Sequence, residues 1–156
     1  KLTVRELVAF GRFPYSGGRL TKEDQDVIDK AVDYMELGDF QDRFIDELSG
    51  GQRQAVALLM ATMTPLNFLI LDEHTAALDP KTAETIMELT GKVVREKGLT
   101  AMMVTHNLRY AVEYGDRILM MNRGRVVLDR AGAEKRATSM DDILTMFNQI
   151  SLETGN

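Results

Sequence analysis

The sequence predicts an α/β layered sheet with a helical segment attached ahead of it. Three observations predict this. Residues 1–47 read as helical, with apolar helix faces and turn signals. After them, two short and nearly wholly apolar runs, Phe68–Leu71 and Thr100–Thr105, alternate with helical patterns. A hairpin signal at Asn122-Arg123-Gly124 closes that alternation.

Thr3 with Glu6 forms a capping box opening a short helix that runs to about Phe10. Gly11 to Leu20, containing Pro14, Gly17 and Gly18, reads as a loop. Thr21 with Asp24 repeats the capping pattern. Val27, Ile28, Ala31, Val32 and Met35 then mark the apolar face of a helix that Gly38 stops. Asp39 to Glu47 is a polar connector anchored by Phe40 and Phe44. The next helix runs from Ser49 to about Met63 and is ended by Pro65. Phe68–Leu71 is too short for a helix and too apolar for a half-exposed strand, which suits a central parallel strand covered on both faces. Pro80 starts a further helix, with Ile86, Leu89, Val93 and Val94 on its buried side and Gly98 at its end. Thr100–Thr105 is again a buried strand and Leu108–Glu113 is helical. Arg117–Met121 and Arg125–Leu128 flank the hairpin turn. Ser139 with Asp142 caps a last helix that carries Ile143, Leu144 and Phe147.

Composition narrows the class. Apolar content of 44% and charged content of 28% over 156 residues are those of a soluble globular protein. No apolar run approaches the ~18 residues that a spanning helix needs, and no signal peptide is visible. Without cysteine there is no disulfide framework and no thiolate metal site. A net charge of −5 argues against a nucleic-acid partner. The acid is concentrated: residues 22–47 hold ten Asp or Glu against three Lys or Arg, as on a solvated helix face. The ten methionines scatter over apolar faces as core filler. The chain starts at Lys1, not Met, directly in a helical pattern, and reads as the middle of a protein.

Three places carry chemistry. In Leu48-Ser49-Gly50-Gly51-Gln52-Arg53-Gln54, the Ser49 hydroxyl can accept from the Gln52 N–H while Gln52 reaches back. The two glycines leave the first turn open, so its free N–H groups and dipole favour a phosphate; the plain alternative is an ordinary capped helix. Asp72 and Glu73 close an apolar strand. One of them can hold Mg²⁺ through water and the other can orient or deprotonate a water, at the sheet edge where open α/β sheets bind ligands. The alternative is a pair of solvated acids at a strand end. His106 follows the second strand and would sit on the same edge, able to bond a phosphate oxygen or a catalytic water; the alternative is a loop residue or helix cap. Asp79 before Pro80 is at least a helix cap. His74 reads as structural.

At these residues the chain resembles the ATP-binding subunits of ABC transporters. Leu48–Gln54 is similar to their signature motif, Phe68–Glu73 to Walker B, Ala76–Asp79 to the D-loop and His106 to the switch histidine. The resemblance implies the carboxy-terminal part of a P-loop NTPase with a RecA-like core (residues 66–156) and a helical subdomain (residues 1–65). It further implies that Asp72 binds Mg²⁺ through water, that Glu73 is the catalytic base and that His106 contacts the γ-phosphate. Ser49, Gly50, Gly51 and Gln52 would face ATP held by the opposite subunit, with Asp79 at the dimer interface. The implied partners are a second ATP-binding subunit and a membrane permease, at the cytoplasmic face of the cell membrane.

Three departures matter. The P-loop pattern G-x-x-x-x-G-K-[ST] is absent, as is the Q-loop glutamine. These 156 residues alone are therefore expected neither to bind ATP well nor to hydrolyse it, and to expose apolar surface at their amino-terminal edge. His74 stands where the family usually has proline. The residues after Gln54 lack the arginines common there. Leu2–Tyr15 is similar to importers of iron-siderophores, haem and cobalamin, whereas Asp72–Pro80 is more similar to a branch paired with binding proteins for small organic solutes. The expectation is solute import, with iron-siderophore as the leading solute. The competing classes are a soluble ABC ATPase acting on ribosomes or DNA, and a non-catalytic regulatory module.

Overall fold

Residues 1–63 and 66–154 are described by the computed structural model, the last four of them by backbone alone. The chain divides into two units, Lys1–Met103 and Val104–Asn156.

The first unit begins with α1 (Val4–Phe10). Its capping box is made as expected: the Thr3 Oγ1 accepts from the Glu6 N–H at 3.2 Å and the Glu6 carboxylate accepts from the Thr3 N–H at 2.8 Å. The segment expected to be a loop contains a single-turn helix, α2 (Phe13–Ser16). Pro14 sits in its first turn, where a missing N–H costs nothing, and Gly17 ends it at φ +58°. Helix α3 (Lys22–Tyr34) starts at the predicted Thr21–Asp24 box. It stops before Gly38, because Glu36 takes the left-handed conformation (φ +54°). The Leu37 N–H then bonds the Val32 carbonyl and the Glu36 N–H bonds that of Asp33, both at 3.0 Å, with Leu37 buried behind them. Gly38 instead opens a short 3₁₀ turn, Gly38–Phe40.

Helix α4 (Gly50–Thr62) carries the signature-like segment at its start. The expected role of Pro65 in ending it lies outside the described residues. Lys97 donates from its ammonium to the Thr62 carbonyl at 2.6 Å, satisfying the last turn. Strands β1 (Phe68–Asp72) and β2 (Thr100–Val104) pair, and α5 (Pro80–Glu96) joins them. Gly98 ends α5 at φ +61°, as predicted. One core runs through this unit: Val4 and Val8 of α1, Ile28 and Val32 of α3, Val56 and Leu59 of α4, Leu69 of β1, and Ile86 and Val93 of α5.

The prediction that β1 and β2 are covered on both faces is corrected. Leu69 is buried, but Phe68 is 48%, Ile70 60% and Met102 45% exposed. Side chains alternate along a strand, so α5 and α4 can cover only one face; among the described residues the β1–β2 sheet has no third strand.

The second unit holds α6 (Leu108–Glu113), β3 (Arg117–Asn122), β4 (Arg125–Ala131), α7 (Gly132–Ala137) and α8 (Met140–Thr154). β3 and β4 form the predicted antiparallel hairpin, with Asn122 opposite Arg125 and an irregularity after Met120. Arg123 (φ +48°) and Gly124 (φ +76°) both adopt the left-handed conformation that a two-residue hairpin turn demands. Helix α7 was not predicted. Its Lys135 is buried and donates to the Val112 carbonyl near the end of α6 at 2.7 Å. Of the residues expected to face inward from α8, Ile143 is buried with Ile118, Met120 and Leu128, whereas Leu144 and Phe147 are exposed.

Candidate functional site

Two helix starts meet in the first unit. At α4, the Ser49 Oγ accepts from the Gln52 N–H at 3.2 Å and the Gln52 side-chain oxygen accepts from the Ser49 N–H at 2.9 Å, the reciprocal box read from the sequence. At α5, the Asp79 Oδ1 accepts from the Thr82 N–H at 3.1 Å. Bonds from Thr82, first from its side chain and then from its backbone N–H, hold the Asp79 carboxyl below the usual carboxylate range. The two starts touch. A methyl group added to Gly51 would lie 2.2 Å from the Thr82 Cγ2, and one added to Gly50 would lie 3.0 Å from the Leu78 Cδ2. Gly51 is buried, so the space expected to serve a ligand is taken up there by α5. Gly50 and Ser49 remain exposed. A cleft of about 590 Å³ opens beside these helix starts, with Ser49, Gln52, Lys81, Thr82 and Lys92 on its wall. Lys81 and Lys92 share that lining with Glu36 and Glu88, so its side-chain charges balance.

β1 ends at Asp72, whose carboxylate is exposed. Glu73 follows in the left-handed conformation (φ +43°). Such a backbone costs a non-glycine residue on the order of 1–3 kcal/mol and persists only where its surroundings enforce it. The Ala76 N–H bonds the Glu73 carbonyl at 2.9 Å and the Leu78 N–H bonds that of Thr75 at 3.2 Å, turning the chain from β1 to α5. His74 is half-buried, and its Nε2 lies 3.3 Å from the Thr90 Oγ1 on α5. Burial pushes the imidazole below its ordinary pKa and favours the neutral ring.

His106 belongs to the second unit. It is exposed on the turn into α6, next to Asn107, whose side-chain oxygen caps that helix by accepting from the Arg109 and Tyr110 N–H groups. Within the first unit, then, the structure brings Gly50 and Gly51 against the segment Leu78–Thr82 that contains Asp79, with Ser49 exposed beside them, and it places Asp72 and Glu73 at the strand end leading into that segment. Sequence reasoning missed Thr82 and Thr90. Neither stands in a motif, and only the packing of α5 reveals them.

Among the described residues no cluster of three or more His, Cys, Asp or Glu is placed to hold a metal ion. An exposed carboxylate at a strand end fits Mg²⁺ nonetheless, because that ion keeps much of its water and takes further oxygens from phosphate.

A family model described as "ABC transporter" matches residues 1–76. The chain belongs to the ABC transporter family. The tyrosine transport ATP-binding protein of Clostridioides difficile (strain R20291) is 49% identical over 113 residues, covering 72% of this chain and 45% of that protein. The petrobactin import ATP-binding protein YclP of Bacillus subtilis (strain 168) is 41% identical over 140 residues, covering 90% and 56%. Among solved structures, cbiO1 of Clostridium perfringens, part of the ABC transporter complex cbiONQ, superposes with a TM-score of 0.76 at 28% identity, over 98% of this chain and 59% of that one. The fold is that of an ABC ATPase, a P-loop NTPase of the α/β class, as the signature-like and Walker B-like segments predict. The chain spans about half the length of the curated relatives it matches. Among the described residues no helix is long and apolar enough to cross a membrane.

Proposed function

We propose that this chain carries the signature and Walker B segments of an ATP-binding, ATP-hydrolysing subunit that powers solute import through a membrane permease. The observation that carries the reading is Glu73: a carboxylate held at φ +43° on the carboxyl end of a strand, directly after Asp72. Backbone strain stored at that point suits a residue whose side chain must be aimed.

In this reading residues 1–65 are the helical subdomain and residues 66–156 belong to the RecA-like core. Asp72 is the residue to hold Mg²⁺ through water; the ion, when bound, offsets charge on the phosphates. Glu73 accepts a proton from the attacking water, and His106 bonds a γ-phosphate oxygen. Ser49, Gly50, Gly51 and Gln52 offer the start of α4 to ATP held by a second subunit, Gly51 through its backbone since its side is closed by Thr82. Asp79 lies at the interface of the two subunits. The protein works at the cytoplasmic face of the membrane as a peripheral subunit.

For the solute, the relative named for petrobactin import supports an iron-siderophore, in line with the importer-like stretch Leu2–Tyr15. A small organic solute is the second reading, favoured by the relative named for tyrosine transport.

The test is ATP turnover of the full-length gene product beside Glu73→Gln. A fall of at least ~100-fold in the variant, with ATP still bound, is the expected result. Equal turnover in both would refute the site assignment. No turnover in either would favour a non-catalytic module.

A further inference from the structure

The turn after β1 has one side-chain anchor that the motifs do not account for. Thr90 is buried on α5, and its hydroxyl donates to the Ile86 carbonyl one helical turn back at 2.7 Å. With that proton committed, the Thr90 oxygen can only accept from His74, whose Nε2 lies 3.3 Å away. The network therefore assigns the proton of the neutral ring to Nε2. One end of this link is rigid, because Thr90 sits in the middle of a helix of 17 residues whose buried face is part of the core. The other end is the residue that directly follows Glu73.

Glu73 is thus held on both sides. Behind it, β1 is paired with β2. Ahead of it, the ring of His74 is fastened to α5, and the Ala76 N–H closes the turn on the Glu73 carbonyl at 2.9 Å. A left-handed glutamate relaxes to an ordinary backbone unless its neighbours prevent it, and such a relaxation would swing its side chain to a different direction.

We propose that His74 is a positioning residue: its hydrogen bond to Thr90 ties the turn after β1 to α5 and holds Glu73 in the left-handed conformation from which its carboxylate meets the attacking water. This rests on the reading of Glu73 as the base. It gives His74 a task in this chain that proline could perform only by rigidity, since proline has no group to reach Thr90.

The experiment measures kcat and the Kd for Mg-ATP of the full-length gene product for wild type, Thr90→Val, Thr90→Ser, His74→Leu, the double variant Thr90→Val with His74→Leu, and Glu73→Gln. Thr90→Val keeps the buried volume and removes the acceptor. The expected result is a kcat lower by roughly ten- to a hundredfold in Thr90→Val and in His74→Leu, as for a reacting group misplaced by about an ångström. Kd stays within about twofold, because binding is not what the link controls. Thr90→Ser keeps wild-type turnover, and the double variant falls no further than the lower single one, as for two halves of one interaction. The proposal is overturned if Glu73→Gln is inactive while Thr90→Val and His74→Leu turn over like wild type, if Thr90→Ser falls with Thr90→Val, if the two losses multiply, or if Kd rises in step with the loss of kcat. Should Thr90→Val fail to fold, the split between kcat and Kd in His74→Leu decides by the same criteria. Wild-type turnover in Glu73→Gln, or none in wild type, overturns the reading of Glu73 and this inference with it.

Discussion

Residues 1–63 and the β1–β2 pair lie next to each other in the first unit and bury their apolar side chains to very different extents. In the helical region Val4, Val8 and Ile28 are wholly buried, both long helices start at reciprocal capping boxes, and α3 ends in a left-handed cap. Cross-links hold the helices together. The Arg5 guanidinium of α1 donates to Gln25 and Asp29 of α3 and to Gln41 beyond it, and Tyr34 at the end of α3 donates its hydroxyl to Glu96 of α5. Burial, and then that bond, push the Tyr34 pKa up to about 12. The β1–β2 pair buries Leu69 on one side and leaves Phe68, Ile70 and Met102 open on the other. A helix needs cover along one stripe, whereas a strand has two faces and an edge. The carboxylates proposed for chemistry therefore sit at the end of the less covered element, and their placement depends on α5.

The same truncation made in each region is the sharpest way to break this contrast. Ile28→Ala should cost about 2–5 kcal/mol of unfolding free energy, the range for a core site that cannot collapse. Ile70→Ala, from a side chain that is 60% exposed, should stay within about 0.5 kcal/mol. Urea unfolding of both variants measures the difference. A loss at Ile70 comparable to that at Ile28 would mean that the open face is covered in solution and that the contrast is false.

The two regions also differ in how well the sequence foretold them, for the same reason. Caps are local: Thr3 with Glu6, Thr21 with Asp24 and Ser49 with Gln52 each lie three residues apart, so their bonds can be read from the string. The hairpin at Arg123-Gly124 is equally local. The end of α3 was misplaced because Glu36, a residue with no preference for positive φ, took the place of the expected glycine. Burial of β1 and β2 was misjudged because an apolar strand states what it needs on each face and not what it finds. At the candidate site, Ser49, Asp72, Glu73 and Asp79 stood out as motif residues. The closeness of Gly51 to Thr82, and of His74 to Thr90, spans 31 and 16 positions respectively and left no trace in any pattern.

A smaller effect tests the point where the helical region meets α5. Gly51→Ala places a methyl group 2.2 Å from the Thr82 Cγ2, so Thr82 or the helix must shift. The expected loss is about 1–3 kcal/mol, that of an overpacked site. Adding Thr82→Ala removes the clashing methyl and should recover most of that loss, while the Asp79 cap keeps the backbone N–H of residue 82 and loses only the bond from the Thr82 side chain. If the double variant is no better than Gly51→Ala alone, the glycine is required for its backbone rather than for its packing.

The smallest expected effects concern two ion pairs, one from the helical region and one from the hairpin of the second unit. Asp24 is only 4% exposed; its carboxylate accepts from the Thr21 N–H and hydroxyl, and the Arg12 guanidinium lies 2.9 Å from it. Asp129 on β4 faces Arg117 at 2.6 Å, with both side chains about half exposed. Both carboxyls are held below the ordinary range, Asp24 chiefly by the Thr21 bonds and Asp129 chiefly by its bond to Arg117. The sign is the same for each. A depressed folded-state pKa adds stability that is complete above the ordinary value near 3.8 and is lost as pH falls below it through the folded-state value. Asp24→Asn and Asp129→Asn should therefore each flatten the acid side of the stability profile, measured by urea unfolding between neutral and low pH. Salt separates them. Screening weakens an exposed pair far more than a buried one, so at about 1 M salt, where the Debye length is about 3 Å, Asp129→Asn should no longer differ from wild type in its acid slope while Asp24→Asn still does. Equal salt sensitivity of the two would place Asp24 in water and remove the buried cross-link between α1's end and α3 from the account of what closes the helical region.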